Sequence, residues 1–269
     1  MRILLPLLFV ALAGCGRLPR PTHPIAEPTT ALEAQRASLD SLGAFRAEAR
    51  IDQREGARRI RGTVLMIVER PDRVRFDALT RLGAAATLTS DGERFALLDL
   101  REGRFFVGES CAENVARALG VAIAPAELVR FLVGDAPHFG RAERIEAIRG
   151  GYRVELRAED GTRQVIELRL DPSEIDLPPE AQRPRLASST LYDARGKRLL
   201  RVSFGAHRPV HVGGEVVMLP HEVRLEEGGK GSDILLRYKS IEPLDEAPEG
   251  AFEQAPPSGL YPEALPCGG

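Results

Sequence analysis

The sequence contains no tryptophan, few lysines and almost no net charge. Only Lys197, Lys230 and Lys239 are lysines among 37 basic residues, and the formal net charge is −2 at pH 7. Proteins that bind nucleic acid concentrate positive charge on one face or one segment. Because the chain has no such basic footprint, we expect no nucleic-acid partner. The shortage of lysine is more typical of a GC-rich genome than of a binding site.

Recognisable catalytic motifs are also missing. The sequence has no Gly-x-Ser-x-Gly, no Cys–His pairing and no paired carboxylates in a catalytic arrangement. The segment from Gly228 to Ser232 resembles part of a phosphate-binding loop, but Gly231 follows the lysine where that loop needs Ser or Thr. We therefore interpret it as a hairpin turn. These absences predict a protein that is not an enzyme and needs no cofactor.

Three histidines offer the one alternative that involves a metal. His207 and His211 have the spacing of two ligands on a helix, and His221 could supply a third. Pro209 and the glycines around it indicate a loop instead of a helix at this place. The sequence therefore predicts no metal site.

The apolar stretch at the N-terminus, Ile3 to Leu12, is too short to cross a membrane. It follows the basic start Met1-Arg2, and Leu12-Ala-Gly-Cys15 then matches a bacterial lipobox. This motif places small residues before a cleavage site and a thiol directly after it. We predict that residues 1–14 are a signal peptide and that Cys15 is acylated. The alternative is an ordinary signal peptide with an incidental cysteine.

Residues 15–29 are rich in proline and polar side chains, which predicts a tether between the lipid and the folded domain. Two or three acyl chains anchor a protein stably without a spanning helix, since each buried methylene contributes ~0.8 kcal/mol. Gly16 stands where aspartate retains enterobacterial lipoproteins in the inner membrane. The expected location is therefore the outer membrane, with the domain facing the periplasm.

Two cysteines remain once Cys15 carries lipid. Cys111 and Cys267 would lie in an oxidising compartment, where disulfides form and persist. A bridge between them would join a helix in the middle of the chain to the C-terminal tail. Two unpaired thiols are the alternative that the sequence leaves open.

Alternating apolar and polar residues run through most of the chain. Phe45 to Ile51 and Val74 to Ala78 have the period of two that is typical of half-buried strands, and Asp91-Gly92 is a hairpin signal. The pattern predicts about eleven or twelve strands with about three helices. The fold class is α+β, mainly β: a strongly curved antiparallel sheet or incomplete β-barrel with helices over an apolar concave face. We place this domain at 30–260 and an irregular tail at 261–269.

Helix boundaries are marked by capping residues. Ser110 with Glu113 fits a capping box for a helix that Gly120 ends, and Thr30 with Glu33 fits another for a helix that ends at Gly43. A third helix is predicted from Pro125, which suits the first helical turn, to a glycine at 134.

Large apolar side chains on the predicted strands and on the third helix could line a cavity or fill a core. Periodicity alone does not separate the two, and a filled core is the more common outcome. The candidate lining residues are Val64, Met66, Val68, Phe76, Leu88, Phe95, Leu97, Phe131 and Leu132.

Several short motifs resemble one known family. They are Val74-Arg-Phe-Asp77, Arg81-Leu82-Gly83, Asp91-Gly92, the helix from Ala124 to Gly134, Leu219-Pro220-His-Glu-Val223, Gly250-Ala-Phe252 and Pro256-Pro-Ser-Gly259. In this order they resemble the LolA/LolB superfamily, in particular the LolB outer-membrane lipoprotein receptors, with DUF4292-type lipoproteins close by. The likeness covers roughly residues 32–259.

The resemblance implies an open β-barrel with a helical lid over a cavity for acyl chains. Leu82 matches the exposed leucine that LolB receptors place in a membrane-contacting loop, although Arg81 replaces the preceding proline. The implied function is to accept acyl chains of lipoproteins from a periplasmic LolA-like carrier and to help insert them into the outer membrane. The alternative is a structural or envelope-assembly lipoprotein of the same fold without transfer activity.

Overall fold

The computed structural model of the chain describes residues 18–81, 83–229 and 231–268, with the backbone alone at 55 and 58. Cys15 with the predicted signal peptide, and Leu82, lie outside the described residues. No helix within the described ranges is long and apolar enough to cross a membrane.

One fourteen-stranded sheet forms most of the fold, with strand order β16-β6-β5-β4-β3-β2-β1-β15-β14-β11-β10-β9-β8-β7. Neighbouring strands are antiparallel except β16 and β6, which are parallel. A separate two-stranded sheet pairs β12 with β13. The strands are β1 Ala44–Glu55, β2 Arg58–Glu69, β3 Arg73–Thr80, β4 Gly83–Ser90, β5 Arg94–Asp99, β6 Arg104–Glu109, β7 Arg141–Ile148, β8 Gly151–Arg157, β9 Arg163–Arg169, β10 Arg185–Tyr192, β11 Arg198–Gly205, β12 Arg208–Val212, β13 Glu215–Leu219, β14 Glu222–Glu227, β15 Ser232–Leu244 and β16 Pro262–Leu265.

The sheet is strongly curved and is not closed into a barrel, so the predicted fold class is confirmed. The strand count is higher than predicted for three reasons. The segment around Pro209, predicted as a loop, contains β12. The sequence from Val216 to Leu225 predicts one strand, but this segment is divided at Pro220, which has no N–H to donate to a ladder. The tail 261–269, predicted to be irregular, contains β16, which extends the sheet beyond β6.

Within the described part of the chain, three α-helices pack against the sheet: α1 Pro28–Ala37, α2 Ala112–Leu119 and α3 Pro125–Val133. Polar groups on the sheet hold the last turns of α2 and α3. Tyr238 on β15 donates its hydroxyl to the Leu132 carbonyl at 2.9 Å, and Gln53 on β1 donates to the Leu119 carbonyl at 2.9 Å. Short 3-10 helices at Pro172–Glu174 and Pro179–Ala181 interrupt the loop between β9 and β10.

Two of the helix starts differ from the prediction. The Oγ of Ser110 lies 2.5 Å from the Oγ of Ser90, and α2 begins after Cys111 without a side-chain cap. Helix α1 begins at Pro28, whose fixed φ suits the first turn, and it ends at Ala37 instead of continuing to Gly43. Gly120 and Gly134 adopt the left-handed conformation directly after α2 and α3, as expected of C-terminal glycines.

The described part of the predicted tether lies against the domain. The N–H of Gly150 donates to the Pro19 carbonyl at 2.8 Å, and the N–H of Thr22 donates to the Ile175 carbonyl at 3.0 Å. Ile25 is buried. Residues 18–25 therefore form part of the folded surface, and we call them the docked segment.

Candidate functional site

A cavity of about 340 Å³ lies between the first five strands and α2. Its size falls at the lower end of the ~300–1,000 Å³ typical of ligand pockets. Helix α2 closes one side through its last turn. Gln53 holds that turn by its bond to the Leu119 carbonyl, and the Ser232 hydroxyl donates to the Gly120 carbonyl at 3.3 Å. These contacts hold the last turn of α2 over the sheet.

The cavity floor is apolar because one row of large side chains crosses four strands. In the pairing register Met66 lies opposite Phe76, Phe76 opposite Leu88, and Leu88 opposite Leu97. Val64 lies in the same floor. These are five of the nine candidates from the sequence. The other four (Val68, Phe95, Phe131 and Leu132) are buried in the core away from the cavity.

The space itself comes from small residues that the sequence analysis did not single out. Ala78, Ala85 and Ala86 on the strands and Ala116 and Ala118 on α2 also line the cavity. A larger side chain at these positions would occupy the volume that stays open here. The available signal was the alanine run at 84–86, where a strand that packs a filled core usually carries larger side chains.

The rim of the cavity carries charge. Arg61, Arg101 and Arg117 are exposed lining residues, and Asp99 is the acid among the lining residues. Arg61 is engaged by Asp52 at 3.1 Å, whereas the Arg101 and Asp99 charges are 3.9 Å apart. Arg117 makes no ion pair with any residue that the structure describes. The rim thus offers cationic groups beside an apolar interior.

Asp52 and its arginines form an ion-pair cluster next to the rim. Arg59 donates Nε to Asp52 at 2.7 Å, and Arg61 donates to the same carboxylate. The hydrogen bonds from Arg59 hold the pKa of Asp52 well below its usual range. The carboxylate is therefore charged at any physiological pH and keeps Arg61 at the cavity edge.

The hairpin between β3 and β4 stands at the cavity rim. Thr80 lines the cavity before the hairpin tip and Ala85 lines it afterwards. Leu82, the predicted membrane-contact residue, lies between them but outside the described residues. The structure thus brings this hairpin and the apolar row to one site.

Cys111 and Cys267 form a disulfide with an S–S distance of 2.05 Å. Of the two alternatives that the sequence left open, this is the one the structure contains. The bond joins the start of α2 to the residues that follow β16, so it fixes the tail along the sheet edge.

The histidines are placed differently from their predicted loop. Pro209 and His211 lie within β12. His207 lies between β11 and β12, and His221 lies between β13 and β14. Burial lowers the pKa of His207 to about 4, so its ring is neutral at pH 7. Within the described ranges, the group compact enough to hold a metal is Cys111, Glu113 and Cys267, and its two cysteines are joined to each other.

No protein-family model and no curated protein matches the sequence. Solved structures do match the fold. A LolA superfamily protein from Nitrosomonas europaea is 14% identical with a TM-score of 0.56, over 86% of this chain and 99% of that one. A domain assigned as an outer membrane lipoprotein-sorting protein from Vibrio parahaemolyticus is 13% identical with a TM-score of 0.55, over 84% and 97% of the two chains.

The architecture is thus that of an open, curved β-sheet with helices packed against it and an apolar cavity between them. The chain shares this fold with the LolA superfamily protein and the lipoprotein-sorting protein domain. At identities this low the comparison establishes the fold, and it confirms the resemblance found in the sequence at that level.

Proposed function

We propose that the protein binds the acyl chains of lipids or lipoproteins in the cavity between β1–β5 and α2. The observation that carries this proposal is the apolar row of Met66, Phe76, Leu88 and Leu97 facing open volume. Burying apolar surface contributes about 25 cal/mol per Å², so a hydrocarbon chain gains free energy by entering. Such a function needs no catalytic residue and no cofactor.

The charged rim supports one orientation of the ligand. A tail in the cavity leaves its polar end at the rim, beside Arg101 and Arg117. Guanidinium groups pair well with carboxylate and phosphate oxygens. We propose that the acyl tail points inward and that an anionic head group lies at the rim.

We further propose that acylated Cys15 anchors the protein in the outer membrane with its domain in the periplasm. In this position it would receive acylated cargo from a LolA-like carrier and help insert it into the membrane. The lipobox at residues 12–15 supports the anchor, and the fold of the LolA superfamily supports the type of cargo. Cargo would move towards the site of higher affinity without any covalent step.

A structural or envelope-assembly lipoprotein is the competing function. The open cavity favours ligand binding over this role, because a purely structural domain gains stability from a filled core. Titration of the purified protein with a fluorescent fatty-acid analogue separates the two. Saturable binding supports the proposal, and its absence would favour the structural role.

Replacing Cys15 with serine is expected to abolish acylation, because Cys15 is the thiol that follows the lipobox. The variant should take up no radiolabelled palmitate and should fractionate with soluble proteins. The Cys111→Ser/Cys267→Ser double variant is the control, since it removes the other two cysteines of the chain and should keep the label. Undiminished labelling of Cys15→Ser would refute the lipid anchor.

Replacing Leu82 with glutamate is expected to impair delivery of cargo to membranes and to leave folding and anchoring intact. Burying one leucine in lipid contributes on the order of 2 kcal/mol, which corresponds to about 30-fold in partitioning. The measurement is transfer of acylated cargo to vesicles. Leu100→Glu is a matched control, because Leu100 is exposed on a neighbouring turn. Full transfer by Leu82→Glu, or equal loss in both variants, would contradict a specific role for Leu82.

A further inference from the structure

The docked segment 18–25 is held at one end of the sheet by several independent contacts. Besides its bonds to Gly150 and Ile175, the N–H of Ile25 donates to the Tyr152 hydroxyl at 3.2 Å. The side chain of Gln182 donates to the His23 carbonyl at 2.8 Å. A Cβ built on Gly150 would lie 3.2 Å from Leu18 Cδ1, so packing begins at the first described residue.

These contacts leave little free chain before the proposed anchor. Cys15 precedes Leu18 by three residues, and an extended chain spans at most ~3.3–3.6 Å per residue. The acylated residue can therefore lie no more than about 10 Å from Leu18 while the segment is docked. A lipid at Cys15 must bring this end of the sheet to the membrane surface.

The loop beside the docked segment carries an exposed leucine. Leu177 is 37% exposed, although the neighbouring Ile175 is buried. The Gln182 side chain that holds His23 also donates to the Leu177 carbonyl at 2.9 Å, which fixes the loop against the docked segment. The Thr22 hydroxyl donates to Asp176 at 2.5 Å, so one acid next to Leu177 is already hydrogen-bonded within the protein.

We propose that the loop 171–184 rests on the bilayer in which Cys15 is anchored, with Leu177 at the boundary between head groups and acyl chains. This inference rests on the proposed acylation of Cys15. The short stretch of chain between Cys15 and Leu18 limits the distance between the domain and the membrane. The docked segment determines which face of the domain meets the membrane. Leu177 supplies exposed apolar surface on that face.

The cavity rim lies at the strand ends opposite to the docked segment. Strand β8 runs from Gly151, beside the docked segment, to Arg157, about 20 Å away at ~3.3 Å per residue. The strand pairings from β8 to β2 place Arg157 at the same strand ends as Asp233 and Arg59, near the cavity rim. Strand β2, which carries Arg61 of the rim, is also seven positions away from β8 in the sheet order.

This pose suits receipt of cargo from a periplasmic carrier. Strands β3 and β4 meet at the rim end, on the far side of the sheet from the docked segment. Delivery of cargo through Leu82 would require residues 18–25 to detach first.

Depth-dependent fluorescence quenching tests the orientation. Single Leu177→Cys and Leu199→Cys variants of the acylated full chain, labelled with the same fluorophore, are placed in phosphatidylethanolamine–phosphatidylglycerol vesicles that contain brominated lipids. The two leucines are matched in exposure, at 37% and 38%, but Leu199 lies at the rim end of the sheet. The disulfide and the acyl group occupy the native cysteines. We expect quenching at least threefold greater at position 177.

A longer linker between Cys15 and Leu18 is the second arm of the experiment. Inserting a flexible linker of about 20 residues before Leu18 adds a reach of roughly 25 Å, which should bring quenching at the two positions close to each other. Protein that stays on the vesicles but is quenched equally at both positions without the linker would refute the orientation alone. Protein that does not stay on the vesicles would refute the acyl anchor and the orientation together.

Discussion

Replacing Ala86 with tryptophan is expected to reduce acyl-chain affinity at least 100-fold while the protein keeps its fold. Ala86 is half-buried and lines the cavity beside the row of Phe76 and Leu88. An indole there would fill space that a hydrocarbon chain otherwise occupies. Displacing four methylenes costs the ligand about 3 kcal/mol at ~0.8 kcal/mol each, which corresponds to at least 100-fold in affinity. The measurement is displacement of a fluorescent fatty-acid analogue.

The chain offers a matched control two residues away. Ala84 lies on the same strand but is exposed and is absent from the cavity lining. Ala84→Trp should therefore bind as the wild type does. Because the natural chain has no tryptophan, each variant also has a single indole reporter. Indole emission at shorter wavelength for Ala86→Trp than for Ala84→Trp would verify the placement. Unchanged affinity with a buried indole at 86 would rule out this cavity as the acyl site.

The sheet was predictable from the sequence because one of its faces is buried. Phe45 and Val74 alternate with polar neighbours, and this period of two marks β1 and β3 wherever one face packs and the other meets water. Turn residues such as Asp91-Gly92 marked the hairpins. The pattern gave no sign of β16, a four-residue strand that pairs at the edge of the sheet and exposes most of its side chains.

The site was predictable only in part, because a cavity is defined by what is missing. Met66 and Phe95 are both apolar strand residues in the sequence, yet one lines the cavity and the other is packed in the core. The difference arises from the small residues that line the cavity together with Met66, such as Ala78 and Ala86, and from the place where α2 ends. Those are tertiary relations that strand periodicity does not contain.

Docking of residues 18–25 was not predictable for a different reason. A proline-rich polar segment is compatible with a free tether and equally with an extended strip that bonds to a surface. The outcome depends on partners far along the chain, the Gly150 N–H and the side chain of Gln182. The consequence for function is large, because it decides which end of the domain the anchor holds.

Removing the disulfide is expected to lower the free energy of unfolding by 2–5 kcal/mol, the range typical of native disulfides. The bridge between Cys111 and Cys267 closes a loop across 156 positions, and in the chain-entropy model a loop this long gives a value near the top of that range, about 5 kcal/mol. The Cys111→Ser/Cys267→Ser double variant leaves no free thiol. Denaturant unfolding of this variant against the oxidised wild type measures the loss.

The tail has few other contacts to hold it without the disulfide. Strand β16 makes a short parallel pairing with β6, and its exposed Arg104–Glu263 ion pair contributes little in water. Leu265 is buried, and the Asn114 side chain donates to its carbonyl at 3.3 Å. Release of β16 would uncover the edge of β6, so the double variant should also self-associate more readily on size-exclusion chromatography.

Reductant provides the internal control for this prediction. The wild type should lose the same free energy of unfolding when it is fully reduced, whereas the double variant should not respond to reductant. The cavity is lined by the last turn of α2, and Gln53 and Ser232 hold that turn independently of the disulfide. Acyl-chain binding should therefore survive in the double variant at temperatures below its unfolding transition. Equal stability of the oxidised wild type and the double variant would show that the cross-link does not stabilise the fold, and loss of binding without unfolding would show that the tail positions α2.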